Sequence, residues 1–519
     1  MLLAELVDTH AAVAATRSRL RKRELLAAAL RSAAGEGDVP PEQRGTQIEV
    51  VASYLSGRAR QRRTGVGWRS LADPPAAASE PSLTPVQVDD ALETMAGLQG
   101  PGSQAARAAA LTALYSRATP DEQRFLTGLV LGELRQGALD SLDAIAAAAD
   151  VPLASVRRAA MFSALSGPIA RAALTGGAPA LESFGLRVGR PVRPMLASSA
   201  PDVGGALERF DGVEVAADVK LDGIRVQVHR SGDEVSVFTR SLDDITERLP
   251  EVVALARSLD VETAVLDGEA IALDETGRPR AFQDTAARTG SHDAESHQGR
   301  TPLTVFFFDI LHLDGSDLID APAADRLAAL DSAAPPSAVV PRLVSTDPDT
   351  VQGFFDDTVA AGHEGLVLKS LDAPYDAGRR GSAWVKVKPR HTLDLVVLAV
   401  ERGSGRREGW LSNIHLGARD PDTGGFVMLG KTFKGMTDET LAWQTERFTE
   451  LADGPTDGSV VRVRPEQVVE IAFDGVQRSP RYPGGVALRF ARVVRYRDDK
   501  TAAEADTIDQ VRTLGSVSG

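Results

Sequence analysis

Lys220-Leu221-Asp222-Gly223-Ile224-Arg225 is the stretch that decides how the chain is organised. The residues on both sides of it alternate between apolar and polar types, which is typical of half-buried β-strands. Gly223 permits a tight backbone, so the pattern predicts a β-hairpin with Lys220 standing exposed at its mouth. An ordinary surface lysine beside a turn has the same local sequence. The role of Lys220 therefore depends on the motifs that follow it.

Composition limits the class of protein. The chain has 519 residues, which predicts two to four domains, and its hydrophobic (43%) and charged (25%) fractions are those of a globular protein. We find neither an apolar run long enough to span a bilayer nor a signal peptide at the N-terminus, so we expect a cytoplasmic protein with no membrane partner. The absence of cysteine excludes disulfides, cysteine-zinc sites and thiol catalysis.

The net charge of -14 is unevenly distributed. Lys and Arg against Asp and Glu number 21 and 19 in residues 1–190, 19 and 34 in residues 191–388, and 18 and 19 in residues 389–519. The acidity therefore lies in the middle segment. A polyanionic partner such as DNA remains compatible with local basic faces on the flanking segments.

Residues 1–190 are predicted to form an all-α domain, because apolar residues recur at helical spacing among many alanines. The turn Gly100–Gln104 opens a helix, where backbone N–H groups can hold a phosphate. A second stretch, Gly132–Gly137, places Arg135 at the end of a predicted helix. For each stretch taken without context, a plain helix cap is the better interpretation.

Residues 191–389 are predicted to form an α+β domain. Two prolines in Gly189–Ala197 exclude a helix there, and strands begin soon after them. The polar stretch 284–300 is predicted to be a mobile loop. Strands are predicted at Val213–Val219, Ile224–Arg230, Val235–Thr239, Ala264–Leu266, Thr304–Ile310 and Gly365–Lys369, and helices at Pro250–Ser258 and Ala323–Leu330.

Four stretches of this segment carry chemically useful side chains. Asp267-Gly268-Glu269 follows a predicted strand and places a carboxylate at its end, and Glu364 stands just before another strand. The strand Phe306–Ile310 offers an aromatic ring for stacking. In Trp384–Lys388 the alternation puts both lysines on one face. A lysine nucleophile, two carboxylates for a divalent cation and a lysine pair are what phosphoryl transfer from ATP requires.

Taken in order, these motifs resemble those of ATP-dependent DNA ligases. Leu488–Arg492 and Arg497–Lys500 resemble the last motif of that family, and the helical segment resembles its DNA-binding domain. The resemblance covers nearly the whole chain and is closest to three-domain ligases of archaea, eukaryotic replication and some actinobacteria. It departs at Asp218, where many relatives have Glu. The six motifs of the middle segment are Lys220–Arg225, Thr239–Ser241, Asp267–Glu269, Phe306–Ile310, Glu364–Lys369 and Trp384–Lys388.

The resemblance implies a role for each matching residue. Lys220 would be the catalytic residue that attacks the α-phosphorus of ATP, and Phe308 would stack on adenine. Glu364 would hold Mg²⁺, with Mn²⁺ as an alternative cation, and Glu269 would contact either the ribose or the metal. ATP contacts are implied for Asp218, Lys220, Arg225, Arg240, Glu269, Phe308, Lys386, Lys388, Arg497 and Lys500. DNA contacts are implied for Gly102, Ser103, Arg135, Arg225 and Arg240.

Residues 390–519 are predicted to form a small β-barrel domain, the OB-fold that the family resemblance also implies. Strands are predicted between Asp394 and Arg497, with a helix at Asp438–Leu451 among them. The tail from about Asp506 has no evident apolar pattern, and we expect it to be disordered.

The resulting expectation is a monomeric DNA ligase that uses ATP to seal nicks in double-stranded DNA during replication, repair or recombination. Its partners would be nicked DNA and, as an option, a sliding clamp. The alternatives are an RNA ligase or mRNA-capping guanylyltransferase with the same core, and a non-catalytic DNA-binding scaffold. The helical segment disfavours the first pair, and the presence of the reactive side chain in each motif disfavours the scaffold.

Overall fold

The structure is a computed structural model that describes residues 1–35, 40–61, 64–134, 138–163, 165–280, 282–290, 302–378, 380–404 and 407–517. It divides into two compact units. The first comprises Met1–Met195 with Asp376–Arg379, and the second Leu196–Tyr375 with Arg380–Gly519. Within the described ranges no helix is both long and apolar enough to cross a membrane.

The first unit is helical, as its alanine- and leucine-rich sequence predicts. Thr84 and Thr119 accept hydrogen bonds from N–H groups three residues further on, and a proline follows each at the first helical position. Leucine, valine and alanine side chains from successive helices form one core. The helices are α1 (Leu3–Ala15), α2 (Arg19–Ala34), α3 (Pro41–Leu55), α4 (Trp68–Leu71), α5 (Pro85–Gly97), α6 (Ser103–Tyr115), α7 (Pro120–Leu131), α8 (Ala138–Ala149), α9 (Leu153–Met161) and α10 (Ser166–Glu182).

The second unit begins with two β-sheets flanked by helices. Its first strands are β1 (Leu196–Ser199), β2 (Val215–Lys220), β3 (Ile224–Ser231), β4 (Glu234–Thr239), β5 (Thr263–Ala272), β6 (Leu303–Leu313), β7 (Ser316–Asp317), β8 (Arg342–Ser345), β9 (Gly365–Ser370) and β10 (Arg380–Val387). Its helices are α11 (Val203–Leu207), α12 (Pro250–Ser258), α13 (Phe282–Gly290), α14 (Ala323–Ala333) and α15 (Pro348–Ala360), with 3₁₀ turns at Glu208–Phe210, Thr246–Arg248 and Pro336–Ala338.

The Lys220–Arg225 stretch connects the two sheets, and the predicted hairpin is wrong. One sheet has the order β1-β10-β9-β2-β8 and the other β4-β3-β5-β6-β7, so β2 and β3 belong to different sheets. The alternating pattern identified both strands correctly but could not identify their partners. Gly223 is required at the crossing, because a Cβ there would lie 2.4 Å from the carbonyl oxygen of Ala270.

The stretch predicted as a loop at 284–300 is helical in its described part. Helix α13 runs through Gly290, and residues 291–300 lie outside the described residues. The buried hydroxyl of Thr285 accepts a hydrogen bond from the Ala272 N–H at 3.1 Å, which ties α13 to β5. Because this stretch contains few apolar residues, its sequence did not indicate the helix, which a polar contact attaches to β5.

The C-terminal part of the second unit is a β-domain with two helices. Its main sheet has the order β13-β12-β11-β15-β18, with β14 also paired to β11, and β16 and β17 pair as a separate ribbon. Its elements are β11 (His391–Arg402), β12 (Leu411–Arg419), β13 (Phe426–Thr432), α16 (Asp438–Glu450), β14 (Val460–Arg462), β15 (Val468–Phe473), β16 (Gly475–Arg478), β17 (Val486–Arg489), β18 (Arg492–Tyr496), a 3₁₀ turn (Ala502–Glu504) and α17 (Ile508–Val517).

The C-terminal tail is ordered, which corrects the expectation of disorder. Ile508 and Val511 are buried in the core of the β-domain, and Leu514 packs against it half-buried. Their spacing of three residues places all three on one face of α17. Three apolar residues are too few to form a core of their own, so the helix depends on the β-domain for its stability.

Candidate functional site

A cavity of about 670 Å³ is lined by both sheets of the second unit. Its size is that of a pocket for a small molecule such as a nucleotide. Strand register brings the predicted residues to it, since Lys220 pairs with Gly365, and Arg225 with Glu269. The lining residues with polar or aromatic side chains are Asp218, Lys220, Arg225, Thr239, Arg240, Ser241, Glu269, Phe282, Phe308, Lys369, Trp384 and Lys386.

Lys220 ends β2 and forms an ion pair with Glu364, which lies immediately before β9. Glu364 also accepts a hydrogen bond from Lys388 at 2.9 Å, and Lys388 reaches Asp474 at 3.3 Å. Burial opposes the charged form of Glu364, but the two lysines outweigh it and lower the pKa of this carboxyl to about 2. Glu364 is therefore ionised, and it fixes both lysines beside the cavity.

Arg225 is anchored by a bidentate contact with Asp267, at 3.0 and 2.6 Å. The hydroxyl of Tyr375 donates to the same carboxylate at 2.6 Å and accepts from Arg225 at 3.1 Å. Burial disfavours the guanidinium charge, but Asp267 overcomes it and raises the pKa of Arg225. Arg225 is thus a fixed cation in the cavity wall, with Phe308 and Trp384 within 6 Å of it.

Glu269 lies within β5 and not at the end of a strand, because β5 continues to Ala272. Its side chain accepts a hydrogen bond from the Gly223 N–H at 3.2 Å. Burial raises the pKa of Glu269 to about 7, and the charge of Glu364 adds to the increase, while Lys220 and Arg225 oppose it. A second carboxylate close to Glu364 is a place where added positive charge would be stabilising.

The two carboxylates fit a magnesium ion that is completed by its substrate. Among the residues described, no group of three or more His, Asp or Glu side chains is arranged to hold a metal. Mg²⁺ commonly takes one or two protein carboxylates, together with substrate phosphates and water. Glu269 and Glu364 supply these two protein carboxylates. In this structure the Glu364 carboxylate forms ion pairs with Lys220 and Lys388.

Aromatic rings form another part of the cavity wall. Phe308 and Trp384 meet edge to face with ring centroids 6.0 Å apart. Lys369 is fully buried beside them, with its ammonium nitrogen 4.6 Å from the Trp384 centroid. Asp218 pairs with Lys369 at 2.6 Å and accepts from Arg342 at 2.6 Å. The wall therefore offers flat apolar surface beside one buried carboxylate.

Lys386 and Arg240 complete the predicted residues that line the cavity. Lys386 lies on β10, where Val385 and Val387 point into the core, as the alternation predicted. Arg240 is exposed on the turn after β4. The roles predicted for these side chains stay predictions.

Arg497 and Lys500 are placed elsewhere. Neither lines the cavity as the structure describes it, and both bind Asp394, at 3.0 and 2.5 Å. Arg497 is also held by Asp499 at 2.7 Å. The contact of these two cations with ATP therefore stays a prediction.

The predicted DNA contacts of the first unit are described only in part. Gly102 has a φ of 85° and precedes α6, so the predicted turn that opens a helix is confirmed. Ser103 is the first residue of that helix. Arg135 lies outside the described residues.

Sequence reasoning missed the contacts between the C-terminal β-domain and the edge of the cavity. Arg489 donates to Asp222 at 2.6 and 3.3 Å, and its guanidinium lies 5.2 Å from the ring centroid of Phe282. Gln283 donates to the Arg478 carbonyl at 3.1 Å. These partners are far apart in sequence, and no local pattern indicates such pairs.

Comparison with protein-family models gives three matches along the chain. Residues 69–142 match "DNA ligase N terminus", residues 194–388 match "ATP dependent DNA ligase domain", and residues 407–500 match "ATP dependent DNA ligase C terminal region". All three models describe segments of DNA ligases, which disfavours the RNA ligase and capping-enzyme alternatives.

Whole-chain relatives agree with these models. The chain is 61% identical to a "Probable DNA ligase" of Beutenbergia cavernae over 100% of both chains. It is 60% identical to a "Probable DNA ligase" of a Nocardioides species over 99% of both. The solved structure named Pmar-Lig_PreS3 has a TM-score of 0.60 and 19% identity, over 95% of this chain and 99% of the other, a similarity of fold alone.

Proposed function

Because the chain belongs to the family of ATP-dependent DNA ligases, we propose that it seals nicks in duplex DNA through a covalent lysyl-AMP on Lys220. AMP would pass from Lys220 to the 5′-phosphate of the nick, and the 3′-hydroxyl would then displace it. The observation that carries this proposal is the position of Lys220, at the end of β2 in the wall of a nucleotide-sized cavity. Sealing would serve DNA replication, repair or recombination.

In the first step the amine of Lys220 attacks the α-phosphorus of ATP, and a nitrogen–phosphorus bond replaces the bond to pyrophosphate. Lys220 must first separate from Glu364 and lose a proton, since an ammonium group has no lone pair for attack. Lys386 and Lys388 are proposed to neutralise the α-phosphate. Both follow the buried Trp384 at alternate positions of one chain segment.

We assign adenine stacking to Phe308 and contacts with phosphate or ribose to Arg225 and Arg240. Glu269 and Glu364 would hold Mg²⁺, which supplies positive charge against the phosphate oxygens. The bidentate contact with Asp267 keeps Arg225 in one orientation, so its charge is preorganised for an anionic ligand.

We propose that Arg497 and Lys500 bind the β- and γ-phosphates in the first step only. Both would then have to exchange Asp394 for ATP, through movement of the C-terminal domain relative to the cavity. The contacts that hold that domain in this structure include half-buried ion pairs, Arg489 with Asp222 and Lys388 with Asp474. The side chains of both pairs keep access to water, which lowers the cost of separating them and permits rearrangement.

The proposed domain organisation is 1–190 for DNA binding, 191–389 for adenylation and 390–519 for an OB-fold. The pairing of β11 with β12, β14 and β15, together with α16, supports the OB-fold assignment. The monomeric state, the sliding-clamp partner and the cytoplasmic location stay predictions.

Replacement of the nucleophile tests the proposed chemistry. With labelled ATP, the wild-type chain should form an acid-stable AMP-protein, and Lys220→Ala should form none. Lys22→Ala, at a half-buried lysine of α2 in the first unit, should label fully and serves as the matched control. Full labelling of Lys220→Ala would place the nucleophile elsewhere.

Removal of residues 1–190 tests the proposed DNA-binding role. We expect these residues to contact phosphates without reading sequence, because a ligase acts at any nick. The truncated chain should keep adenylation of Lys220, bind nicked duplex far more weakly and show a shallower salt dependence. Equal binding by the truncated and complete chains would contradict this role.

A further inference from the structure

One wall of the cavity carries a buried carboxylate between two cations. Arg342 Nε donates to Asp218 Oδ1 at 2.6 Å, and Lys369 Nζ lies 2.6 Å from Asp218 Oδ2. The side chains of Arg342, Asp218 and Lys369 are 10%, 3% and 2% exposed. Each carboxylate oxygen of Asp218 is therefore paired with a cation, one on either side, and the side chain has little freedom to turn.

The backbone fixes this arrangement. Asp218 on β2 is the Cα partner of Arg342 on the edge strand β8, and on its other side it pairs with Val367 of β9. A residue directly opposite on a neighbouring strand is the nearest available partner for a side chain. The other carboxylate near Arg342, Asp331, is 60% exposed and 3.6 Å away, so Asp218 is the principal partner.

The same group adjoins the aromatic part of the cavity. Lys369 Nζ donates to the Phe308 carbonyl at 2.7 Å and lies within about 5 Å of the Phe308 and Trp384 ring centroids. Asp218 thus lies beside the rings on which a flat base would stack. This position suits a group that reads the edge of a base.

Asp218 retains an unused acceptor. Its Oδ2 is buried beside Lys369 Nζ at 2.6 Å, and because a carboxylate oxygen can accept two hydrogen bonds, the Lys369 contact leaves one acceptor position of this atom open. A buried acceptor is stabilised by any donor that reaches it. The 6-amino group of adenine is such a donor, whereas the 6-oxo group of guanine is an acceptor.

We propose that Arg342 is a positioning residue for nucleotide choice, which holds the Asp218 carboxylate where it accepts a hydrogen bond from the 6-amino group of adenine. The inference rests on the proposed function, since it takes the cavity as the ATP site. Aspartate is one carbon shorter than glutamate, so its reach toward the base depends on its orientation. Arg342 sets that orientation from one side and Lys369 from the other.

The test compares ATP with purine riboside 5′-triphosphate, which lacks only the 6-amino group. The rate of Lys220 adenylation at limiting triphosphate is measured for the full-length wild type and for Arg342→Gln. The wild type should prefer ATP by at least about tenfold, the effect of one hydrogen bond to a charged group. Arg342→Gln should lose most of this preference by slowing the reaction with ATP alone.

Two further variants separate positioning from folding. Arg230 is also half-buried and donates to the carbonyls of Gly232 and Ala256 at the far end of β3, so Arg230→Gln should keep the full preference for ATP. Arg342→Lys keeps the charge but lacks the planar donor, and it replaces Arg342→Gln if that variant does not fold. It should show the same loss of preference.

Each outcome is decisive. An active Arg342 variant that kept the wild-type preference, or that slowed both triphosphates by the same factor, would overturn the positioning role. A wild type that adenylated equally with both triphosphates would show that the 6-amino group is not read. A wild type that formed no AMP-protein with either would instead overturn the proposed function.

Discussion

The cations predicted to bind phosphate fall into two regions that the structure treats differently. Lys220, Arg225 and Lys386 come from three strands of two sheets and line a single cavity. Arg497 and Lys500 lie close together in sequence, yet both bind Asp394 in the C-terminal β-domain. Strand register fixes the first set within a buried core. The location of the second set depends on where a whole domain lies, which a few polar contacts determine.

Among the substitutions that test this comparison, Glu364→Ala should cause the largest loss of activity. This change removes the partner of Lys220 and Lys388 and a proposed cation ligand, so adenylation and sealing of a pre-adenylated nick should each fall at least about 100-fold. Glu401→Ala, which also removes a lysine partner, is the control and should leave both rates nearly unchanged. A loss in one assay only would place Glu364 outside the chemistry shared by the steps.

Arg497→Ala and Lys500→Ala should slow only the first step, the adenylation of Lys220. If these cations meet only the departing pyrophosphate, adenylation should slow by at least about tenfold, the effect of one lost hydrogen bond to a charged group. Sealing of a pre-adenylated nick should change much less. Parallel losses in the two assays would favour a fixed role in DNA contact.

Asp394→Asn should have a smaller and opposite effect. Asp394 holds both Arg497 and Lys500 in this structure, so its neutralisation should release them and accelerate adenylation a few-fold. Asp499→Asn is the matched control, because Asp499 pairs with Arg497 and is itself exposed. Slower adenylation by Asp394→Asn alone would show that the Asp394 pairs belong to the reactive arrangement.

The smallest effect concerns the stability of the sheet that carries Arg225. His229 is on the same strand, and burial lowers its pKa to about 3, with the charge of His312 adding to the decrease. The unfolded chain takes up a proton below pH 6.5 while folded His229 does not, so stability is complete above pH 6.5 and falls toward pH 3. Between pH 7 and pH 5 this site should lower the free energy of unfolding by about 2 kcal/mol.

His229→Phe should remove that part of the pH dependence. Denaturant unfolding of the wild type and the variant at both pH values gives the difference. The histidines that do not interact with His229 are present in both proteins, so their contribution cancels. An unchanged pH dependence in His229→Phe would mean that this ring is protonated in the folded state or accessible to solvent.

The sequence predicted the positions of strands better than it predicted which strands pair with each other. Alternation located β3 and β4 to within a residue, and the apolar run at Phe306–Ile310 located β6. It could not show that β2 and β3 belong to different sheets, because the same side-chain pattern suits either partner. It also assigned the polar stretch of α13 to a loop, since that helix is attached through Thr285 and not through an apolar stripe.

The roles of Arg342, Lys369 and Arg489 lay beyond sequence reasoning for a related reason. An isolated arginine such as Arg342 carries no local signal, and each of these cations acquires its partner only when distant strands or domains meet. Lys369 and Arg489 were part of matching motifs, but the burial of Lys369 against Trp384 depends on the pairing of β9 with β10, and Arg489 meets Asp222 only across two domains.

By itself, the sequence determined which side chains could perform nucleotidyl transfer, because the reactive groups follow strand periodicity and occur in a fixed order along the chain. Only the tertiary structure decided which of them share a cavity, which carboxylate each cation binds, and that Arg497 and Lys500 bind Asp394. Periodicity is a local property of the backbone, whereas these choices depend on long-range register and on the position of one domain against another.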